Sequence, residues 1–206
     1  MRVRRTAKKE RYHHGDLRAA LIDTAIDLIG EHGVRGFSLA EASRRLGVTV
    51  AAPYRHFADR DELLAAVAAR AYEVLGATLL TDVVGTASPA DRLAAAAGAY
   101  VRFAADNRPL FQALFGAGLD KSRHPELEQA AQPLAEALLD PVRALSGGDE
   151  DAAQALGYAV IATAHGYAVL LQDGAFGHTD DATDLAAEAA TKTTQALIAG
   201  RQALRD

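Results

Sequence analysis

Apolar residues recur three and four positions apart along nearly the whole chain, and runs of alternating β-branched residues are missing. That spacing lines one face of an α-helix, so the pattern predicts an all-α protein. Leu17, Leu21, Ala25, Leu28 and Ile29 form the first stripe, opened by Asp16 as N-cap and closed by Gly33, which predicts a helix over about 16–32. Ser38-Leu39-Ala40-Glu41 has the form of a capping box: the serine oxygen accepts from the amide three residues on, and the glutamate reaches back to the serine amide. A second helix therefore starts at Ser38 and stops at Gly47. Thr49 is placed to cap a third, short helix ending near Phe57, which leaves Leu46–Thr49 as the connection.

Asp59-Arg60-Asp61-Glu62 repeats the capping logic ahead of a long helix with Leu63, Val67, Ala71 and Val74 on one face. The stretch from Gly85 to Pro89 breaks the pattern, and proline suits the first position of the next helix. Further helices are expected at roughly 90–106, 108–116, 125–146, 150–173 and 182–204, separated by Asn107-Arg108-Pro109, Gly116-Ala117-Gly118, Ser146-Gly147-Gly148 and the stretch from Gly174 to Gly177. Residues 152–171 are apolar or small over about the length that crosses a bilayer. Their alanine and glycine content favours a buried helix, and no membrane partner is expected.

Charge divides the chain. Through position 60 there are twelve lysines and arginines against seven acidic residues; the remainder holds ten against twenty. A net charge of −5 thus conceals a basic N-terminal module on an acidic body, and a polyanion is the natural partner of the first part. Cysteine is absent, which excludes disulfides, thiolate zinc sites and a cysteine nucleophile and suits a cytoplasmic protein. The N-terminus does not read as a secretory signal. No carboxylate pair, nucleophile–base set or phosphate-binding glycine loop is identifiable, so no catalytic residue, cofactor or enzyme activity is expected. His13-His14 is not read as a metal site.

A short helix, a glycine-containing turn and a second short helix in a basic module are what reading a DNA major groove requires. Gly33, Phe37-Ser38-Leu39, Leu46-Gly47-Val48-Thr49, Tyr54-Arg55-His56-Phe57 and Asp59-Arg60-Asp61-Glu62-Leu63-Leu64, in order and without gaps, resemble the DNA-binding domain of the TetR family over about residues 14–74. The resemblance implies a helix-turn-helix at 38–57 in a three-helix bundle, followed over 75–206 by a larger helical body for ligand binding and dimerisation, with 1–13 as a flexible basic arm. It also implies roles. Ser38 and Thr49 would anchor phosphates, Val50 and Ala51 would face base edges, Tyr54 would touch the backbone, and His56 and Arg60 would donate to phosphates. Arg44 and Arg55 complete the candidate DNA-contacting set, although Arg44, like Arg45, also suits a solvated face. Ser38 and Thr49 equally suit caps alone. Pro53 departs from the usual residue and forfeits a helical hydrogen bond. The arm Arg2–Arg11 is suited either to follow a groove or to remain an idle end.

In the body, Tyr100, Phe103, Phe111 and Phe115, with Tyr158 and His165 on a later helix, are the candidate lining of a mostly apolar ligand pocket; as residue types they serve equally as core. His165-Gly166 is similar to the tryptophan-histidine-glycine signature of a TetR subgroup, with Ala164 before it and no tryptophan in the chain. Small residues Ala155, Ala159, Ala162 and Gly166, and Ala189, Ala196, Ala199 and Gly200, permit close helix approach, either between two copies through the last two helices or within one subunit. The expected function is a homodimeric repressor of operator DNA released by an unknown small-molecule inducer. The alternatives are a ligand-independent regulator with a scaffold body, and an all-helical enzyme or lipid carrier.

Overall fold

The computed structural model describes residues 14–83, 88–115 and 118–201. The basic arm, the break at 84–87, residues 116–117 and residues 202–206 lie outside them; the last helix, expected to run to 204, stops at Ala199, where Gly200 N–H closes it on Ala196 O. Described residues form helices joined by turns, without strands: α1 His14–His32, α2 Leu39–Leu46, a 3-10 turn Pro53–Arg55, α3 Arg60–Val83, α4 Pro89–Asp106, α5 Arg108–Phe115, a 3-10 turn Lys121–Arg123, α6 Pro125–Ser146, α7 Glu150–Gln172 and α8 Ala182–Ala199.

Local chemistry explains most boundaries. Ser38 Oγ accepts the Glu41 amide at 3.2 Å, while the Glu41 carboxylate pairs with Arg44, so only half of the expected capping box forms. Gly47 takes the left-handed conformation (φ 66°) and Val48 N–H reaches back to Ser43 O, which closes α2. Asp59 Oδ1 accepts the Glu62 amide, and the Glu62 carboxylate accepts from Ala58 N–H, one residue before the position expected. Ser88 caps α4, with Pro89 as its first residue. Residues 14 and 15 are already helical, so Asp16 lies within α1 and not at the N-cap.

The expected third helix is corrected to a turn with a short 3-10 segment. An α-helix capped at Thr49 needs Pro53 N–H to reach Thr49 O, and proline has none. Ala52 N–H takes that carbonyl at 2.9 Å, His56 N–H bonds Pro53 O at 2.8 Å, and the tighter winding lasts to His56, after which Phe57 N–H also returns to Pro53 O.

Beside a smaller apolar cluster of Leu93, Val142, Leu156, Val160 and Ile198, a main apolar core runs through the chain. Leu21, Leu28 and Ile29 of α1, Phe37, Leu39, Phe57, and Leu63, Leu64, Val67, Ala71 and Leu75 of α3 are buried in it together with α4, α5 and the inner faces of α7 and α8. Val74, expected on the buried face, is half-buried and Leu75 takes the inner place. Since α3 continues through the boundary expected at 74, the basic module and the body share a helix and the main core. Helix α8 lies against α4 at Gly98, where a Cβ would come within 2.5 Å of Thr191 Oγ1 and 3.2 Å of Ala187 O. Two helices, α3 and α7, contain segments apolar and long enough to cross a membrane; half of that segment is buried in α3 and 22% in α7.

Candidate functional site

The basic module presents its polar residues on a scaffold held by arginines. Arg45 of α2 makes a two-bond bridge to Glu31 of α1, at 2.8 and 2.6 Å, and the pairing holds the Glu31 carboxyl below its ordinary pKa. Arg18 lies over the Phe57 ring at 5.2 Å. Arg60 stacks on Phe37 at 4.7 Å, and its guanidinium donates to the Phe37 and Val34 carbonyls, which ties the turn between α1 and α2 to the start of α3.

Around this frame Ser38, Arg44, Thr49, Val50, Ala51, Tyr54 and Arg55 are exposed. Val50 and Tyr54 keep 58% and 56% of their surface in water although their neighbours Pro53 and Phe57 are buried. These residues belong to one stretch, the two ends of α2 and the turn after it. His56 and Arg60 differ. His56 Nε2 is buried without a hydrogen-bond partner, so a phosphate can meet this ring only at Nδ1 or after the ring turns. The donors of Arg60 are engaged with backbone carbonyls and Asp61. The latching roles of Arg18, Arg45 and Arg60 leave no local signal in the sequence, because each depends on a partner 14 or more positions away.

A second cluster forms in the body. Tyr100 of α4, Phe111 and Phe115 of α5 and His165 of α7 are in mutual ring contact, with centroids 4.7–6.3 Å apart. Tyr100 Oη and His165 Nδ1 share a hydrogen bond of 3.0 Å. Burial pushes the His165 pKa below that of a free imidazole; burial, with Tyr72 adding to it, pushes the Tyr100 phenol up. Both groups are therefore neutral near pH 7.

Two members of the expected pocket do not join. Phe103 is 1% exposed and packs in the main core, without ring contact to the other four. Tyr158 is 66% exposed and lines an outer groove between α6 and α7 with Leu138, Leu139, Val142 and Ile161. Tyr158 and His165 share a helix face, but they lie two turns apart and the α5 rings reach only the His165 level. Helix α5 also touches the basic module: a Cβ on Gly30 of α1 would come within 3.2 Å of Pro109 Cγ. Among the described residues no group of three or more metal-ligating side chains occurs.

Residues 21–67 match the model of bacterial regulatory proteins of the tetR family, and residues 93–193 match a tetracyclin repressor-like C-terminal domain. An HTH-type transcriptional regulator of Mycobacterium tuberculosis is 30% identical over 148 residues, 69% of this chain and 74% of its own length. The chain belongs to the TetR family. It is a DNA-binding transcriptional regulator by that membership, which is not an enzyme class. A Rhodococcus protein of unknown function has the same fold at 31% identity, with a TM-score of 0.70 over 91% of this chain and 98% of its own. The structure of AibR in complex with isovaleryl coenzyme A and operator DNA shares the fold at 17% identity, with a TM-score of 0.63 over 86% and 97% of the two chains.

Proposed function

We propose that this TetR-family protein is a dimeric repressor that a small, largely apolar effector releases from a palindromic operator. The observation that carries the reading is the exposure of Val50 and Tyr54 in a motif where Leu39, Ala42, Pro53 and Phe57 are buried. A valine and a tyrosine left in water on a short turn do nothing for the fold. Against a major groove Val50 and Ala51 meet thymine methyls, Tyr54 and the hydroxyls of Ser38 and Thr49 donate to phosphates, and Arg44 and Arg55 add charge along the backbone.

Dimerisation is supported by α7, whose outer side carries Tyr158, Ile161, Val169 and Leu170 in water, with Leu185 exposed on α8. A second copy packed on this side removes that surface, and two recognition turns then read a two-fold site. The small residues at Ala162, Ala196 and Ala199 are exposed in the single chain and belong to the same proposal. Release is supported by the path from the ring cluster through α5 to Gly30: an effector that parts Phe111 and Phe115 shifts α5, and Pro109 passes the shift to the last turn of α1. The AibR complex, a relative in fold, holds both a small molecule and operator DNA. Such a protein acts in the cytoplasm, where its DNA lies.

Tyr54→Ala tests the interface. We expect an intact fold by circular dichroism and a loss of preference for the gene's own promoter region over scrambled DNA at moderate salt; unchanged preference contradicts the assignment.

A further inference from the structure

The ring cluster of the body carries one polar device, and its chemistry narrows what can enter. With a neutral imidazole, Tyr100 and His165 together hold two protons on nitrogen or oxygen. One lies in the 3.0 Å bond between Tyr100 Oη and His165 Nδ1. The other is left over in either arrangement: as His165 Nε2–H when the tyrosine donates, or as the tyrosine O–H when the imidazole does. Neither residue makes a further hydrogen bond among the described residues. Among the described residues no cation or carboxylate pairs with His165 or shifts its pKa, and Tyr72 is the charge-bearing neighbour that acts on Tyr100. The pair is thus an uncharged hydrogen-bond donor with one unused proton.

Its surroundings are flat and apolar. Phe111 lies nearly parallel to the imidazole, at 5.4 Å and 23°, and Phe115 meets it edge-on at 4.7 Å. Phe111 is buried, whereas Phe115, the last residue of α5, is 45% exposed. Turning Phe115 outward opens a slot of one ring's size beside the imidazole, with Phe111 as its other wall. A carboxylate entering there loses its hydration with no cation to replace it. A hydrocarbon leaves the donor unpaired. A ring with a carbonyl oxygen avoids both costs.

We propose that the Tyr100–His165 pair is the recognition point of the effector site, and that the effector is an uncharged, single-ring aromatic compound bearing a carbonyl oxygen. This rests on the reading of the body as effector-sensing.

Calorimetric titration of the full chain with acetophenone, ethylbenzene and benzoate tests it. Acetophenone is expected to bind about tenfold tighter than either of the others, the difference one good hydrogen bond makes. In the double variant Tyr100→Phe/His165→Phe both rings stay and every donor is gone, so acetophenone should bind no better than ethylbenzene. Should that variant fail to fold, imidazole nitrogen resonances of the wild-type protein decide: they shift at His165 with acetophenone and not with ethylbenzene. Equal affinities for the three probes, preference for benzoate, no binding of any, or an undisturbed His165 each overturn the proposal. Operator affinity of the ligand-free protein is measured apart. A protein that binds its operator yet prefers benzoate loses the effector class and keeps the DNA-binding reading.

Discussion

Arg60 stands at the first position of α3, where a guanidinium beside DNA is free to meet a phosphate, yet in this chain its donors go to Val34 O, Phe37 O and Asp61 and its plane lies on Phe37. The two roles separate in solution. If Arg60 neutralises a phosphate, Arg60→Gln reduces the slope of log affinity against log salt by about 0.9. If Arg60 is a latch, the substitution leaves that slope unchanged and lowers operator affinity because the turn before α2 is no longer held. It then also costs about 1–2 kcal/mol of stability, the range of hydrogen bonds from a charged donor at a part-exposed site. We expect the second pattern from salt-dependent binding together with thermal denaturation. A reduced slope at unchanged melting temperature assigns Arg60 to the DNA. Arg18 and Arg45 act in the same way from α1 and α2, so the exposed residues of the recognition turn stand on a frame of cation–ring and ion-pair interactions.

Among the elements, the packing of α4 on α8 is set by the absence of a side chain. Gly98 admits Thr191 and the Ala187 carbonyl where any Cβ collides with them. Gly98→Ala is expected to destabilise the protein by about 1–3 kcal/mol, the cost of overpacking, and Thr191→Ala in the same chain to restore part of it. Denaturant unfolding of the two singles and the double measures this, and additive effects contradict the close approach. Elements whose ends are governed by neighbours within four residues are legible in the sequence. Ser38 and Gly47 fix α2, Ser88 and Pro89 start α4, and Leu21, Ala25, Leu28 and Ile29 of the α1 stripe are buried as their spacing predicts, with Leu17 half-buried at its start. The turn after Thr49 is harder to read, because a proline is tolerated in the first turn of a helix and only the exact offset of Pro53 from Thr49 removes the bond that an α-helix needs there. Tyr158 falls outside the ring cluster for a different reason. Periodicity assigns a helix face but not a height along it, and the rings that would receive Tyr158 stop two turns short. Gly98 gives no local signal, since in an alanine-rich helix a glycine is one small residue among many.

For the molecule as a whole, the main core that reaches from α1 to α8 means that the basic module and the body respond together, and the outer side of α7 leaves Tyr158, Ile161, Val169 and Leu170 in water. Charging that surface with Tyr158→Asp and Ile161→Asp is expected to yield a folded monomer in sedimentation velocity, with operator affinity reduced by more than about tenfold, since each half-site alone offers too few base pairs; a dimer that persists places the interface elsewhere. In the proposed repressor two recognition turns, carried by 38–57 of each copy, read one two-fold operator. Genome-wide footprinting of the wild-type protein beside Tyr54→Ala tests this two-fold reading most directly. Protected sites are expected to be inverted repeats with half-site centres about 10 base pairs apart or a multiple of that, and to be absent with the variant. Protection without two-fold symmetry, or protection that Tyr54→Ala leaves in place, would contradict it.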